Sequence, residues 1–120
     1  MPKPAAKEND TVIATDTHLV AGSPTLLPFH GIVDGNLSAD VLIENEHAAM
    51  VDSTATNTPA HTPSPDKPPS NRGIIVAGSA TVLINHRHAA RDGDPAKTCN
   101  DPVDLPVGTV VASSTILIGG

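Results

Sequence analysis

Aromatic residues are almost absent from this sequence: its 120 residues include one Phe, Phe29, and neither Trp nor Tyr. Aromatic side chains dominate the energetics of ordinary cores, so a large conventional core is excluded. A chain of this length falls within the usual size range of one domain, and we expect residues 1–120 to form a single domain. Small domains that bury little apolar area commonly gain stability from a disulfide, a metal or a partner chain.

Cysteine is equally scarce, because Cys99 is the single one. An internal disulfide is therefore excluded, and a metal or an assembly remains as the source of additional stability. Six histidines accompany the cysteine. Imidazole and thiolate are borderline-soft ligands that suit zinc, so the composition favours a metal site.

Positive charge and long apolar runs are also lacking. The chain has 7 Lys and Arg against 13 Asp and Glu, a formal net charge of −6, and it has almost no aromatic rings to stack bases, which argues against a nucleic-acid partner. No apolar run approaches the ~20 residues of a membrane helix, and no apolar segment follows the first lysines as in a signal peptide. We expect no stable membrane insertion, and folding in the cytoplasm.

Short β-branched segments separated by Gly, Ser, Asn and Pro make up the hydrophobic part of the chain. Such segments are typical of short strands joined by tight turns, and no segment has apolar residues at helical spacing over three turns. The sequence therefore predicts an all-β protein. The clearest candidate strands are residues 74–76, 81–84, 108–111 and 115–118.

An internal repeat gives stronger information than these propensities. Residues 41–50 align with residues 82–91 at a constant offset of 41 residues and without a gap, and residues 4–10 match residues 88–94 as a third, shorter copy. A second similarity links the segments that start at Val20, Val76 and Val111. Gly and Ser at their centres suit hairpin turns, so we predict three hairpins around a common axis.

The repeat also predicts a metal site. His18 follows Asp10 by eight residues, His61 follows Ser53 by eight, and Cys99 follows Asp94 by five. These three equivalent segments would bring His18, His61 and Cys99 to one point, and a closed structural zinc site needs four such ligands.

The fourth ligand that we predict is His30, which follows Pro28 and Phe29. His86 and His88 alternate along one strand-like stretch and are the other candidates for that position. His61 lies in the proline-rich segment 58–71, and its presence there favours an ordered, docked loop over a disordered linker.

Catalytic motifs are lacking: the sequence contains no Gly-x-Ser-x-Gly elbow, no phosphate-binding glycine loop and no His-Glu-x-x-His pair. A nucleophilic Cys99 would need a cleft and an orienting partner, which the sequence does not indicate. We therefore expect that the protein is not an enzyme.

Three segments together resemble the PAAR-repeat family: Pro-Ala-Ala-Lys at 4–7, His-Ala-Ala-Arg-Asp-Gly-Asp at 88–94, and the strand with its lead-in at 78–85. The resemblance implies a small cone of short strands with pseudo-three-fold repeats, whose vertex holds zinc bound by three His and one Cys. It implies that the cone is the non-catalytic tip of a type VI secretion system or a phage-like contractile tail. That tip would cap and sharpen a trimeric valine-glycine repeat (VgrG-like) spike, aid membrane puncture and deliver effectors.

The resemblance and the apolar strand ends lead to further expectations about partners. We expect Ile74, Val110 and Ile118 to form the base that contacts the spike, one tip per trimer. The chain ends at Gly120 without an appended toxin, so it resembles a minimal tip, which the machine itself would carry out of the cell. Two alternatives stay open: an adaptor that tethers effector proteins through the proline-rich loop, and a small metal-dependent enzyme with an open site.

Overall fold

The computed structural model describes residues 2–60, 69–101 and 103–120. These residues form twelve β-strands and no helix, which confirms the predicted all-β class. Nothing in the described ranges could therefore cross a membrane as a helix. The strands are β1 (Lys3–Pro4), β2 (Thr11–Val20), β3 (Ser23–Gly35), β4 (Leu42–Ile43), β5 (Glu46–His47), β6 (Thr54–Asn57), β7 (Arg72–Ile75), β8 (Leu83–Ile84), β9 (Arg87–His88), β10 (Pro95–Thr98), β11 (Leu105–Val111) and β12 (Leu117–Ile118).

Six strands close into a barrel in the order β10, β11, β2, β3, β6, β7. This order consists of three antiparallel pairs of consecutive strands, β2–β3, β6–β7 and β10–β11. In all three pairs the first strand ends and the second begins at the same end of the barrel, which we call the apex. The molecule is elongated, with extents of 45 × 24 × 23 Å.

Three two-stranded hairpins lie at the other end, and we call them the base hairpins. They are β4–β5, β8–β9 and the pair formed by the two chain ends, β12–β1. The turns Glu44-Asn45 and Asn85-His86 have positive φ at both residues, which is the geometry of the tight turn that suits a two-residue hairpin. The third hairpin completes the pseudo-three-fold arrangement by joining the N-terminal and C-terminal strands.

A ring of three buried alanines marks the pseudo-three-fold axis. The amide of Ala6 donates to the carbonyl of Ala90 at 3.0 Å, that of Ala90 donates to Ala49 at 3.1 Å, and that of Ala49 donates to Ala6 at 3.0 Å. All three side chains are at most 1% exposed. This cycle confirms the repeat with its offset of 41 residues and the third copy at the N-terminus, because equivalent residues of all three copies meet there.

The residues that precede β2, β6 and β10 repeat the same turn. The side chains of Asp10, Ser53 and Asp94 each accept a hydrogen bond from the amide three residues earlier, at 2.9, 3.0 and 2.7 Å respectively. The residue before each of them has positive φ. The polar side chain therefore fixes the turn that starts each of these strands.

The prediction of hairpin turns after Val20, Val76 and Val111 is correct for the first segment and wrong for the other two. The segment after Val20 is a hairpin turn, with positive φ at Ala21 and Gly22. The segments after Val76 and Val111 are not hairpin turns but connect the barrel to base hairpins. In the segment after Val76, the Ser79 hydroxyl accepts from the amides of Thr81 and Val82, the two residues that precede β8, at 3.2 and 3.0 Å.

Buried apolar residues form two clusters, one inside the barrel around Phe29 and one beneath the base hairpins. The base cluster contains Ile43, Ile84 and Ile118, one from each hairpin. In the barrel, a Cβ on Gly31 would lie 2.6 Å from the Phe29 ring. Glycine there makes room for the single aromatic side chain.

Candidate metal centre

Three fully buried side chains meet in the apical half of the barrel: Asp16, His18 and Cys99. Asp16 and His18 are two residues apart on β2, so strand alternation points both to the barrel interior. Cys99 directly follows the last residue of β10. One potential ligand atom from each residue lies within 4.8 Å of the other two.

The distances within this group fit a shared cation. Cys99 Sγ lies 3.9 Å from His18 Nε2 and 3.5 Å from Asp16 Oδ2. Ligand atoms around a tetrahedral zinc ion are separated by roughly 3.5 Å, given the usual zinc–sulfur, zinc–nitrogen and zinc–oxygen bond lengths. Oxygen, nitrogen and sulfur donors thus already lie near the required separations, and the group could hold a metal ion.

The loop that follows Cys99 contacts β2 on both sides of His18. Asp101 Oδ2 lies 3.4 Å from His18 Nδ1 and accepts a hydrogen bond from the Leu19 amide at 2.8 Å. Asn100 Oδ1 accepts from the Thr17 amide at 2.7 Å. A carboxylate beside one ring nitrogen is the usual device that leaves the other nitrogen for a metal, and here the other nitrogen, Nε2, faces Cys99.

The surroundings of Cys99 favour the protonated thiol. Burial, and next the negative charge of Asp16, raise the pKa of Cys99 to about 11 from its ordinary value of 9.0, although the backbone amide of Asn71 lowers it. Since thiolate is the form that binds metals and attacks electrophiles, Cys99 needs a cation beside it to lose its proton near neutral pH.

Of the predicted ligands, the structure brings His18 and Cys99 together. His61 lies outside the described residues. Asn71, which immediately precedes β7, contacts Cys99 through its backbone amide, so residues on or next to all three strand pairs of the barrel contribute to this region.

The structure does not bring His30 to the cluster. On β3, Phe29, Gly31 and Val33 are buried, and His30 alternates with them and is exposed. In the β2–β3 pairing, His30 lies opposite Ile13, whose side chain is 46% exposed and which is five residues from His18. Strand alternation therefore places the His30 side chain on the outer surface of the barrel, at another level.

The remaining histidines belong to the base hairpins. His86 is a turn residue with positive φ, so the expectation that it alternates with His88 along one strand is wrong. His47 Nδ1 lies 2.9 Å from the Ser38 carbonyl, and His88 Nδ1 lies 2.7 Å from the Ser79 carbonyl. His47 and His88 thus have the same turn role, which their equivalent positions in the repeat predict.

The sequence reasoning missed Asp16. The pattern Asp-x-His at 16–18, within a segment of alternating residues, places a carboxylate and an imidazole on one face of a strand. That pattern was available from the sequence alone, and it would have added Asp16 to the candidate ligands.

The residues predicted to form the base have different surroundings. Val110 is fully buried in the barrel cluster, and Ile118 is 7% exposed in the base cluster. Ile74 is half-buried on β7, between Thr54 of β6 and Lys97 of β10. Neither Val110 nor Ile118 offers the exposed apolar surface on which that expectation rested, because each packs inside the chain's own core.

Comparison with known proteins agrees with the repeat and the fold. The PAAR motif model matches residues 65–120, which include the repeat copy at residues 82–91, the β8–β9 hairpin and Cys99. A search of curated proteins finds no match. The motif match over residues 65–120, together with the three-fold repeat, supports a PAAR-repeat family protein.

Proposed function

We propose that this protein is the tip that caps the spike of a contractile injection machine. The PAAR motif supports a role related to the spike tip of type VI secretion systems. The observation that carries the specific capping role is a ring of three exposed leucines on the base hairpins, which we call the leucine triad: Leu42, Leu83 and Leu117.

The leucine triad is a three-fold apolar surface. Its members are 56%, 56% and 59% exposed, and each occupies the first residue of the leading strand of its hairpin. The next residue in each hairpin is one of the buried isoleucines of the base cluster. Equivalent apolar side chains that are exposed around one axis indicate an interaction surface and not scattered exposure.

A three-fold partner fits this surface because each leucine would meet the same site on one of three identical chains. The end of a three-fold β-helix also has unpaired strand edges that need to be covered. We therefore propose that the base sits on the trimeric valine-glycine repeat (VgrG-like) spike, with one tip per trimer. Assembly in the cytoplasm and delivery by the machine, with effectors as possible cargo of the spike, follow from this role.

A structural metal near the apex completes the proposal. His18 and Cys99 would hold zinc together with further donors from the apical region, and His61 remains a predicted ligand. Bound zinc would stabilise the Cys99 thiolate and tie β2 to the loop after β10. Structural zinc contributes about 10–16 kcal/mol in small zinc-binding peptides, so the ion would contribute much of the fold's stability.

A non-catalytic role is consistent with the environment of Cys99. Its raised pKa opposes a thiolate nucleophile in the metal-free chain. A group that serves only to bind a structural ion needs no substrate access, and all three side chains of the cluster are buried.

The test is co-purification of the chain with the spike trimer. Leu83→Asp places a charge in the leucine triad and should abolish docking. Leu26→Asp is the matched control, because Leu26 is 67% exposed on β3 of the barrel and lies outside the base; it should dock like the wild type. Unchanged co-purification of Leu83→Asp would refute the proposed base.

A further inference from the structure

The buried carboxylate of Asp16 has a defined orientation within the metal cluster. Thr98 Oγ1 donates to Asp16 Oδ1 at 2.6 Å. The other oxygen, Oδ2, accepts a hydrogen bond from Cys99 Sγ at 3.5 Å. The two oxygens thus have different neighbours, one a hydroxyl and the other a potential metal-binding sulfur.

A third residue sets the direction of this hydrogen bond. Asn100 Nδ2 donates to the Thr98 carbonyl at 3.1 Å and to Thr98 Oγ1 at 3.4 Å. Because Oγ1 accepts this bond, its own proton is free to point to Asp16. The side chains of Thr98 and Asn100 are buried together with Asp16, so solvent does not compete for the arrangement.

We propose that Asp16 is a direct metal ligand through Oδ2, and that Thr98 and Asn100 are positioning residues that hold its carboxylate for this purpose. The inference rests on the metal site of the proposed function and specifies its donor set. Oxygen from Asp16, nitrogen from His18 and sulfur from Cys99 are a combination that zinc and cobalt(II) accept. His30, on the outer face of the barrel, is not part of this set.

Charge supports the same assignment. The Asp16 carboxylate oxygen Oδ2 and the Cys99 sulfur lie 3.5 Å apart inside the barrel, so one cation could contact both. A divalent cation bound to both would neutralise the charges of a carboxylate and a thiolate at once. A site with two anionic ligands also differs from a histidine-rich site in its metal spectrum, which makes the role of Asp16 measurable.

The experiment uses the full chain loaded with cobalt(II), with visible absorption as the spectroscopic readout and zinc competition as the affinity readout. Asp16→Asn should shift the cobalt absorption bands and lower the affinity for zinc more than Thr98→Val does. Thr98→Val should lower the affinity for zinc by about 10–100-fold, the usual effect of losing a residue that orients a metal ligand. Thr98→Ser keeps the hydroxyl and should restore wild-type affinity.

Asp104→Asn is the matched control, because it removes an exposed carboxylate from the loop after Cys99 and should leave spectrum and affinity unchanged. Circular dichroism verifies folding; if Asp16→Asn does not fold, the comparison of Thr98→Val with Thr98→Ser still decides the outcome. A wild-type spectrum and affinity in Asp16→Asn would overturn the assignment, as would equal losses in both Thr98 variants or no metal binding by the wild type.

This outcome is separable from that of the capping role. Asp16 lies in the apical half of the barrel, whereas the leucine triad lies on the base hairpins. An unchanged cobalt spectrum in Asp16→Asn would contradict the ligand assignment alone. Failure of the wild-type chain to bind the spike trimer would contradict the capping role alone.

Discussion

Removal of the single aromatic side chain should be among the most damaging changes in this fold. Phe29 is 2% exposed and lies in the barrel cluster, against Gly31 and Gly73. Phe29→Ala leaves a cavity that small neighbours cannot fill, and such changes cost about 3–5 kcal/mol. That is a large part of the ~5–15 kcal/mol stability of a small domain.

The measurement is thermal unfolding followed by far-UV circular dichroism, with the same zinc concentration for every variant. A loss of this size lowers the midpoint by roughly 10–20 °C at ~4 °C per kcal/mol. Leu26→Ala is the matched control on the same strand, because Leu26 is 67% exposed. We expect it to change stability by less than about 0.5 kcal/mol.

A second substitution sharpens this prediction. A Cβ on Gly73 would lie 3.3 Å from Phe29 Cζ, so Gly73→Ala crowds the ring in the wild type but fills part of the cavity in Phe29→Ala. The two changes should therefore be less damaging together than the sum of their separate effects, by about 0.5–3 kcal/mol. Equal stability losses for Phe29→Ala and Leu26→Ala would refute the reasoning, since they would show that the ring does not organise the barrel.

Two further predictions concern charge and pH. The side chains of Arg91 and Asp94 are 9% and 5% exposed, so Arg91→Met leaves the Asp94 carboxylate buried without its ion-pair partner and should lower the free energy of unfolding in urea by about 3–5 kcal/mol. Arg87→Met removes a half-exposed ion pair with Asp52 and should cost less than ~1 kcal/mol. Equal losses in the two variants would contradict this prediction. In the metal-free chain, the pKa of Cys99 (about 11) lies above its ordinary value of 9.0, so the protonated thiol stabilises the fold fully below pH 9 and this contribution is lost as the pH rises towards 11. Chelator-treated wild type should lose stability relative to Cys99→Ala over that range, and parallel curves would refute the prediction.

The repeated parts of the fold were predictable from the sequence because the repeat carries its own alignment. Matching residues 41–50 with 82–91 and adding the copy at 4–10 brings Ala6, Ala49 and Ala90 into equivalent positions, and these residues form the ring on the axis. Short β-branched segments with intervening turn residues also predicted the all-β class. These signals are local, and each copy reinforces the others.

Burial within β3 was not predictable to the same degree. Apolar residues occupy both faces of this long strand, for example Leu26 outside and Phe29 inside, so hydrophobic alternation does not fix which face contains His30. The base surface was missed for a related reason: Leu117 and Ile118 are adjacent and chemically similar, yet only the isoleucine is buried. The choice between them depends on how the two chain ends pair, which no local pattern specifies.

We propose that one pseudo-three-fold base covers one three-fold spike end. Native mass spectrometry of the mixed components tests it most directly, because it counts the chains in each complex. We expect one chain bound per spike trimer, with the complex lost in Leu83→Asp and kept in Leu26→Asp. Three chains bound per trimer, or an intact complex with Leu83→Asp, would contradict it.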